Sequence, residues 1–117
     1  TVDVLHLLGL DDGELVESWG RWYLAGREAR WARRNALVVL GNPAAGEPAD
    51  VAHRVAAVLG EYVAHADPVL RAHAVWAAAR RGLTHLMPDS DPDPDVRAEL
   101  VAARAEAAVE TASEDRP

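Results

Sequence analysis

The chain has 117 residues, half of them hydrophobic, with no cysteine and a net charge of −7. That is enough for one modest core. It excludes disulfides, thiolate metal sites and cysteine-ligated clusters within this chain. No run of about 18 apolar residues occurs, so no membrane span is expected, and the acidic balance argues against a general nucleic-acid binder.

The first residues carry Asp3 and no basic segment, so no signal peptide is expected. The start at Thr1 rather than Met points to a fragment or a processed chain. Residues 2–8 are apolar at helical spacing and stop at Gly9. Asp11 or Asp12 then caps a second helix with Glu14 in its first turn, where the helix dipole favours an acid. Leu15, Val16, Trp19 and Trp22 fall on one stripe of it. Ala25-Gly26 is a turn. A helix from Arg27 or Glu28 to about Leu40 follows, stopped by Gly41-Asn42-Pro43, with Gly41 expected in the left-handed conformation of a C-terminal cap.

After a Gly- and Pro-rich loop, Asp50 is expected to cap a helix carrying Val51, Val55, Leu59 and Tyr62 on one face. Asp67-Pro68 opens the next helix, aspartate as cap and proline at the first turn. It ends at Arg80-Arg81-Gly82. Residues 83–87 form a short apolar turn, and 88–94 an acidic, proline-containing linker. Asp93-Pro94 repeats the opening device for a last helix through Val96, Leu100, Ala103 and Ala107. From Glu110 the chain turns polar and is expected to fray.

The openings recur. Arg33 aligns with Arg71, Ala36 with Ala74 and Val38 with Trp76, at an offset of 38 residues. Asp93-Pro94-Asp95-Val96-Arg97 repeats Asp67-Pro68-Val69-Leu70-Arg71 after a further 26. A period near 40 with paired helices marks an α-solenoid of HEAT or armadillo type. The expected architecture is all-α: a short HEAT-like solenoid of about two and a half helix pairs over 27–109, an N-terminal helical cap over 1–26 and a tail over 110–117.

Residues suited to catalysis are hard to find. The five histidines show no paired spacing for zinc. No glycine-rich phosphate loop exists, and Ser18, Ser90 and Ser113 lack partners for nucleophilic attack. The acids of 89–95 match a calcium loop in charge only. The tryptophans read first as packing residues, with Trp31, set among arginines, the one suited to stacking.

The arginines are the candidate site. All twelve basic residues are Arg, and five of them lie between Arg21 and Arg34 against the single acid Glu28. Arginine's planar fork suits phosphate. Arg27, Arg30 and Arg34 share a helix face. Arg33 and Arg71, on neighbouring parallel helices, are expected to form a ladder near helix N-termini, suited to a phosphate backbone. The alternative is that Arg33, Arg71 and Arg97 pair with capping aspartates of adjacent repeats.

Arg34-Asn35-Ala36-Leu37-Val38-Val39-Leu40-Gly41-Asn42 and Asp67-Pro68-Val69-Leu70-Arg71-Ala72-His73-Ala74-Val75-Trp76-Ala77 resemble the R-N-x-x-x-x-L-G-N and D-P-x-x-R-x-H-A-x-W-A segments at the C-terminal end of epoxyqueuosine reductases. Gly20-Arg21-Trp22-Tyr23 resembles an actinobacterial variant of the preceding linker. The resemblance covers about residues 2–83. It implies the HEAT-like domain of a cytoplasmic enzyme that uses cobalamin and 4Fe-4S clusters to reduce the epoxide of epoxyqueuosine in tRNA. Those cofactors belong to N-terminal catalytic domains; none is expected in this chain. The implied role here is accessory, docking the tRNA anticodon arm, with Arg30, Arg33, Arg34 and Arg71 as phosphate-facing candidates. The net charge and the acidic linker depart from that picture. The rival expectation is a HEAT-type scaffold for protein–protein contact. The two divide on whether the arginines stand free on one face or are consumed by acids.

Overall fold

A computed structural model describes residues 2–19 and 29–114. Among them are six α-helices and no strand: α1 (Val2–Leu8), α2 (Asp12–Trp19), α3 (Ala29–Leu40), α4 (Ala49–Tyr62), α5 (Pro68–Arg80) and α6 (Pro94–Glu114), with a 3-10 turn at Thr84–Leu86. The readings placed on the side chains of Val16, Ser18, Trp19 and Ser113 and on 20–28, Trp22 and Arg27 included, lie outside the described residues. Helix α6 runs to Glu114, beyond the point at Glu110 where the polar tail begins in sequence.

α3, α5 and α6 form a row with α5 in the middle; α1 packs on α3 and α4, and α4 on α5. The longest dimensions are 54 × 36 × 18 Å. The thin one matches two helix layers. The main core lies where four helices meet: Leu5 and Leu8 of α1, Leu37 and Leu40 of α3, Val55 and Leu59 of α4, Leu70 and Ala74 of α5. A second cluster joins Val75 of α5 to Val96, Leu100 and Ala103 of α6. Helix α5 therefore buries Leu70, Ala74, Ala77 and Ala78 on one side and Val75 on another. A helix apolar around most of its circumference has to be covered on several sides.

The helix starts are local devices. Asp11 and Glu14 close a reciprocal capping box: the Glu14 N–H donates to Asp11 Oδ1 at 2.8 Å and the Asp11 N–H to Glu14 Oε1 at 3.2 Å. Asp67 caps α5 by accepting from the Val69 N–H, with Pro68 behind it. Asp93 accepts from the Asp95 and Val96 N–H groups at the start of α6. Helix α4 differs from expectation. Its cap is Pro48, no side chain caps it, and Asp50 sits exposed in the first turn, where it can act only through the helix dipole.

Gly41 differs too. Positive φ occurs at Gly46 and Gly82, not at Gly41. Gly41 is glycine because Trp76 lies against it: a Cβ there would sit 2.4 Å from the indole Cζ3. The end of α3 is closed from outside by α5. Arg80 donates to the Gly41 carbonyl and to Asn42 Oδ1, and Arg81 donates to the Leu40 carbonyl. Carbonyls left open at the C-terminus of α3 thus receive cationic donors from the C-terminal end of α5.

Gly41→Ala is expected to cost about 1–3 kcal/mol through overpacking against Trp76. Urea unfolding should show the loss in Gly41→Ala and much of it recovered in Gly41→Ala/Trp76→Leu. A wild-type midpoint for the single variant would contradict the contact.

Candidate functional site

The four candidate arginines divide by partner. Arg33 is buried, with 5 % of its surface exposed. Its Nη2 donates to the Leu10 carbonyl and to Asp12 Oδ1, and its Nη1 to the Tyr62 hydroxyl at 2.8 Å. Tyr62 in turn donates to the Leu8 carbonyl at 2.8 Å. Arg33 and Tyr62 thereby tie the corner between α1 and α2 to α3 and α4. Burial, the largest influence, pulls the Arg33 pKa down, but the Asp12 carboxylate and Tyr62 outweigh it and the net shift is upward. Burial raises the Tyr62 pKa and keeps its hydroxyl neutral.

Arg71 pairs bidentately with Asp91 at 2.9 and 3.0 Å. Its remaining Nη reaches back to the carbonyls of His65 and Ala66. Arg97 repeats this on α6, donating to the carbonyls of Asp91 and Pro92. The Asp-Pro-x-x-Arg motif is thus a clasp. The aspartate caps the helix, the proline starts it, and the arginine holds the two carbonyls of the incoming loop. The cap's own N–H is taken in equivalent ways: Asp67 N–H donates to His65 Nδ1 and Asp93 N–H to Asp91 Oδ1.

Arg30 bonds Asp67 at 2.6 Å, joining α3 to the start of α5. Its guanidinium carbon also lies 6.0 Å from the Trp31 ring centroid. Arg34 lies over the same ring at 5.2 Å and donates to Asn35 Oδ1, while its Nε is buried without a partner. Among the described residues, Arg34 is the member of the set with no carboxylate partner. Arg33 and Arg71 therefore do not form a free ladder; pairing with acids from neighbouring segments is the arrangement found. The acids differ from those expected. Asp12 is the first residue of α2, and Asp91 precedes the α6 cap by two positions.

The exposed feature left on the arginine-rich segment is Trp31, 39 % exposed, with Arg30 and Arg34 against its ring. A cation held at an indole face is attractive in itself and leaves positive charge beside an aromatic edge. Trp76, by contrast, is committed to Gly41 and to Arg80, whose guanidinium carbon lies 5.3 Å from its ring centroid.

Three residues escaped the sequence reading. Asp91, taken there as part of an acidic linker, is buried and carries the Arg71 pair. Tyr62, assigned to an apolar stripe, is the hydrogen-bonding hub beside Arg33. Glu47 forms a bidentate pair with Arg81 at 2.8 and 3.0 Å and pins the 43–48 loop. A signal for Asp91 existed: it stands 26 residues after His65, which performs the same task at the preceding cap. No group of three or more metal-ligating side chains occurs among the described residues, and no helix among them is long and apolar enough to cross a membrane. No protein-family model, curated protein or solved structure matches this chain.

The Arg71 hydrogen bonds hold the Asp91 carboxyl below its ordinary range. A depressed carboxylate contributes stability that is present above its unfolded pKa, about 3.9, and is lost as pH falls through the folded value. Asp91→Asn is expected to be less stable at pH 7 and to show a flatter loss of stability between about pH 4 and 2. Chemical unfolding across that range tests it; parallel acid limbs in variant and parent would remove Asp91 from this role. Part of the limb should persist, because Arg81 also lowers the Glu47 pKa through its hydrogen bond.

Proposed function

We propose that this chain is a HEAT-like helical domain of an epoxyqueuosine reductase-like protein, non-catalytic by itself, that helps to dock the tRNA anticodon arm in the cytoplasm. The observation that carries the reading is that the two resembling segments are each other's contact partners. Gly41 of the first receives Trp76 of the second, and Arg30 beside the first bonds Asp67, which opens the second. The recurrent clasp at Arg71 and Arg97 supports the repeat reading, as does the row of α3, α5 and α6. In this proposal the cobalamin and iron–sulfur clusters belong to other domains of the protein.

The site within the proposal narrows. Arg30, Arg33 and Arg71 are paired with Asp67, Asp12 and Asp91, so the phosphate contact falls to Arg34, with Trp31 as the stacking surface. The partner-bound state of three arginines also favours a second reading, a HEAT-type scaffold for another domain or protein.

Binding to an anticodon stem-loop RNA across a salt series tests the first reading. Affinity should fall as salt rises, and Trp31→Ala/Arg34→Ala should lower the salt slope by about one while leaving the melting temperature near the parent's. Arg33→Ala should instead lower the melting temperature, because it leaves the Tyr62 and α1–α2 partners unsatisfied. Absence of binding at low salt, or an unchanged slope in the double variant, overturns the docking role and leaves the scaffold.

A further inference from the structure

Between α3, α5 and α6 lies a groove of about 230 Å³, lined by Val38, Ala72, His73, Trp76 and Glu99. Two pairs of its residues, Val38 with Trp76 and His73 with Glu99, occupy matching places in the repeat, and Asn35 holds the His73 place on α3 outside the groove. Asn35, His73 and Glu99 are equivalent positions, separated by 38 and 26 residues. Along the row the polar group at that place changes from amide to imidazole to carboxylate.

The groove is rich in acceptors. His73 Nδ1 lies 2.8 Å from the Val69 carbonyl. A carbonyl only accepts, so Nδ1 donates, and in the tautomer with its proton on Nδ1 the Nε2 atom is an acceptor. Glu99 makes no hydrogen bond or ion pair among the described residues. The Trp76 indole N–H is the one uncommitted side-chain donor among the lining residues. No arginine is among the lining residues. Arg80 is held by Gly41 and Asn42, and Arg34 by Asn35 and the Trp31 ring. The floor of Val38, Ala72 and Trp76 is apolar.

This arrangement fits a cation on an aliphatic stem. The volume is below the roughly 300–1,000 Å³ of small-molecule pockets, so it matches one side chain rather than a whole ligand. Phosphate is disfavoured by the unneutralised Glu99, and the net charge of −7 draws basic partners toward the chain. Arginine suits it better than lysine, because a planar guanidinium presents several donors to a carboxylate and a neighbouring acceptor together.

We propose that the groove between α3, α5 and α6 receives an arginine side chain from a partner polypeptide, its stem on Val38, Ala72 and Trp76 and its head between Glu99 and His73. The surface differs from the Trp31–Arg34 patch, and the proposal stands whether or not that patch binds RNA.

The probe is N-acetyl-arginine methylamide, with N-acetyl-citrulline methylamide as the uncharged isostere, titrated into the 117-residue chain and followed by NMR. The arginine probe should give saturable shifts of the Trp76 indole N–H and the His73 ring. The citrulline probe should bind about tenfold more weakly, the scale of one charge-assisted hydrogen bond. Glu99→Gln, which keeps the shape and breaks no contact within the fold, should weaken the arginine probe to the same degree. Equal shifts with both probes, undiminished binding in Glu99→Gln, or shifts confined to other residues would overturn the proposal.

Discussion

The fold depends on covering α5 on more than one side. Leu70, Ala74, Ala77 and Ala78 face the core shared with α1, α3 and α4, while Val75 faces α6. Each large aliphatic side chain buried in such a place stabilises by about 1.5–3 kcal/mol, so neither neighbour is optional. The layout also brings the ends of α3 and α6 beside the ends of α5. Helix ends carry open N–H and C=O groups, and packing them together requires donors and acceptors that reach between helices. Arginine, with five N–H donors and no acceptor, supplies the donors.

That requirement explains where the arginines go. Arg71 and Arg97 hold incoming loops. Arg80 and Arg81 close the end of α3, and Arg33 ties down the α1–α2 corner. A sequence rich in arginine and poor in free positive charge is consistent with this use. Each partner acid neutralises a cation that would otherwise stand on the surface. The negative balance of the chain and its many arginines are therefore compatible, and the positive field remaining on α3 concentrates around Trp31.

The candidate site was partly legible. The spacing of Arg30, Arg33, Arg34 and Arg71 on their helices followed from the 3.6-residue period, and pairing with acids was one of two arrangements that spacing allowed. Which acids was not legible. Asp12 lies 21 residues from Arg33, Asp91 lies 20 from Arg71 and Glu47 lies 34 from Arg81. Nothing local links such pairs; they meet because helices of set length pack in a set order. Asp91 looked like solvated charge because its neighbours in sequence are acidic. In space its neighbour is a guanidinium.

The sequence by itself determined the all-helical composition, most helix boundaries and the caps at Asp67 and Asp93, and narrowed the first cap to Asp11 or Asp12, since a cap is made within about four residues; at Asp50 the same residue type did not decide it, and Pro48 holds the cap position. It also determined the recurrence of the Asp-Pro-x-x-Arg motif, while the tertiary structure decided that its arginine holds the carbonyls of the preceding loop. The tertiary structure decided why Gly41 is glycine. The helix stop reads as a backbone matter, yet the constraint is the Trp76 ring, 35 residues away in sequence. It likewise decided which arginines serve the fold and which remain at the surface. Burial and charge pairing are properties of neighbours in space, and those neighbours are chosen by packing α5 from several sides at once.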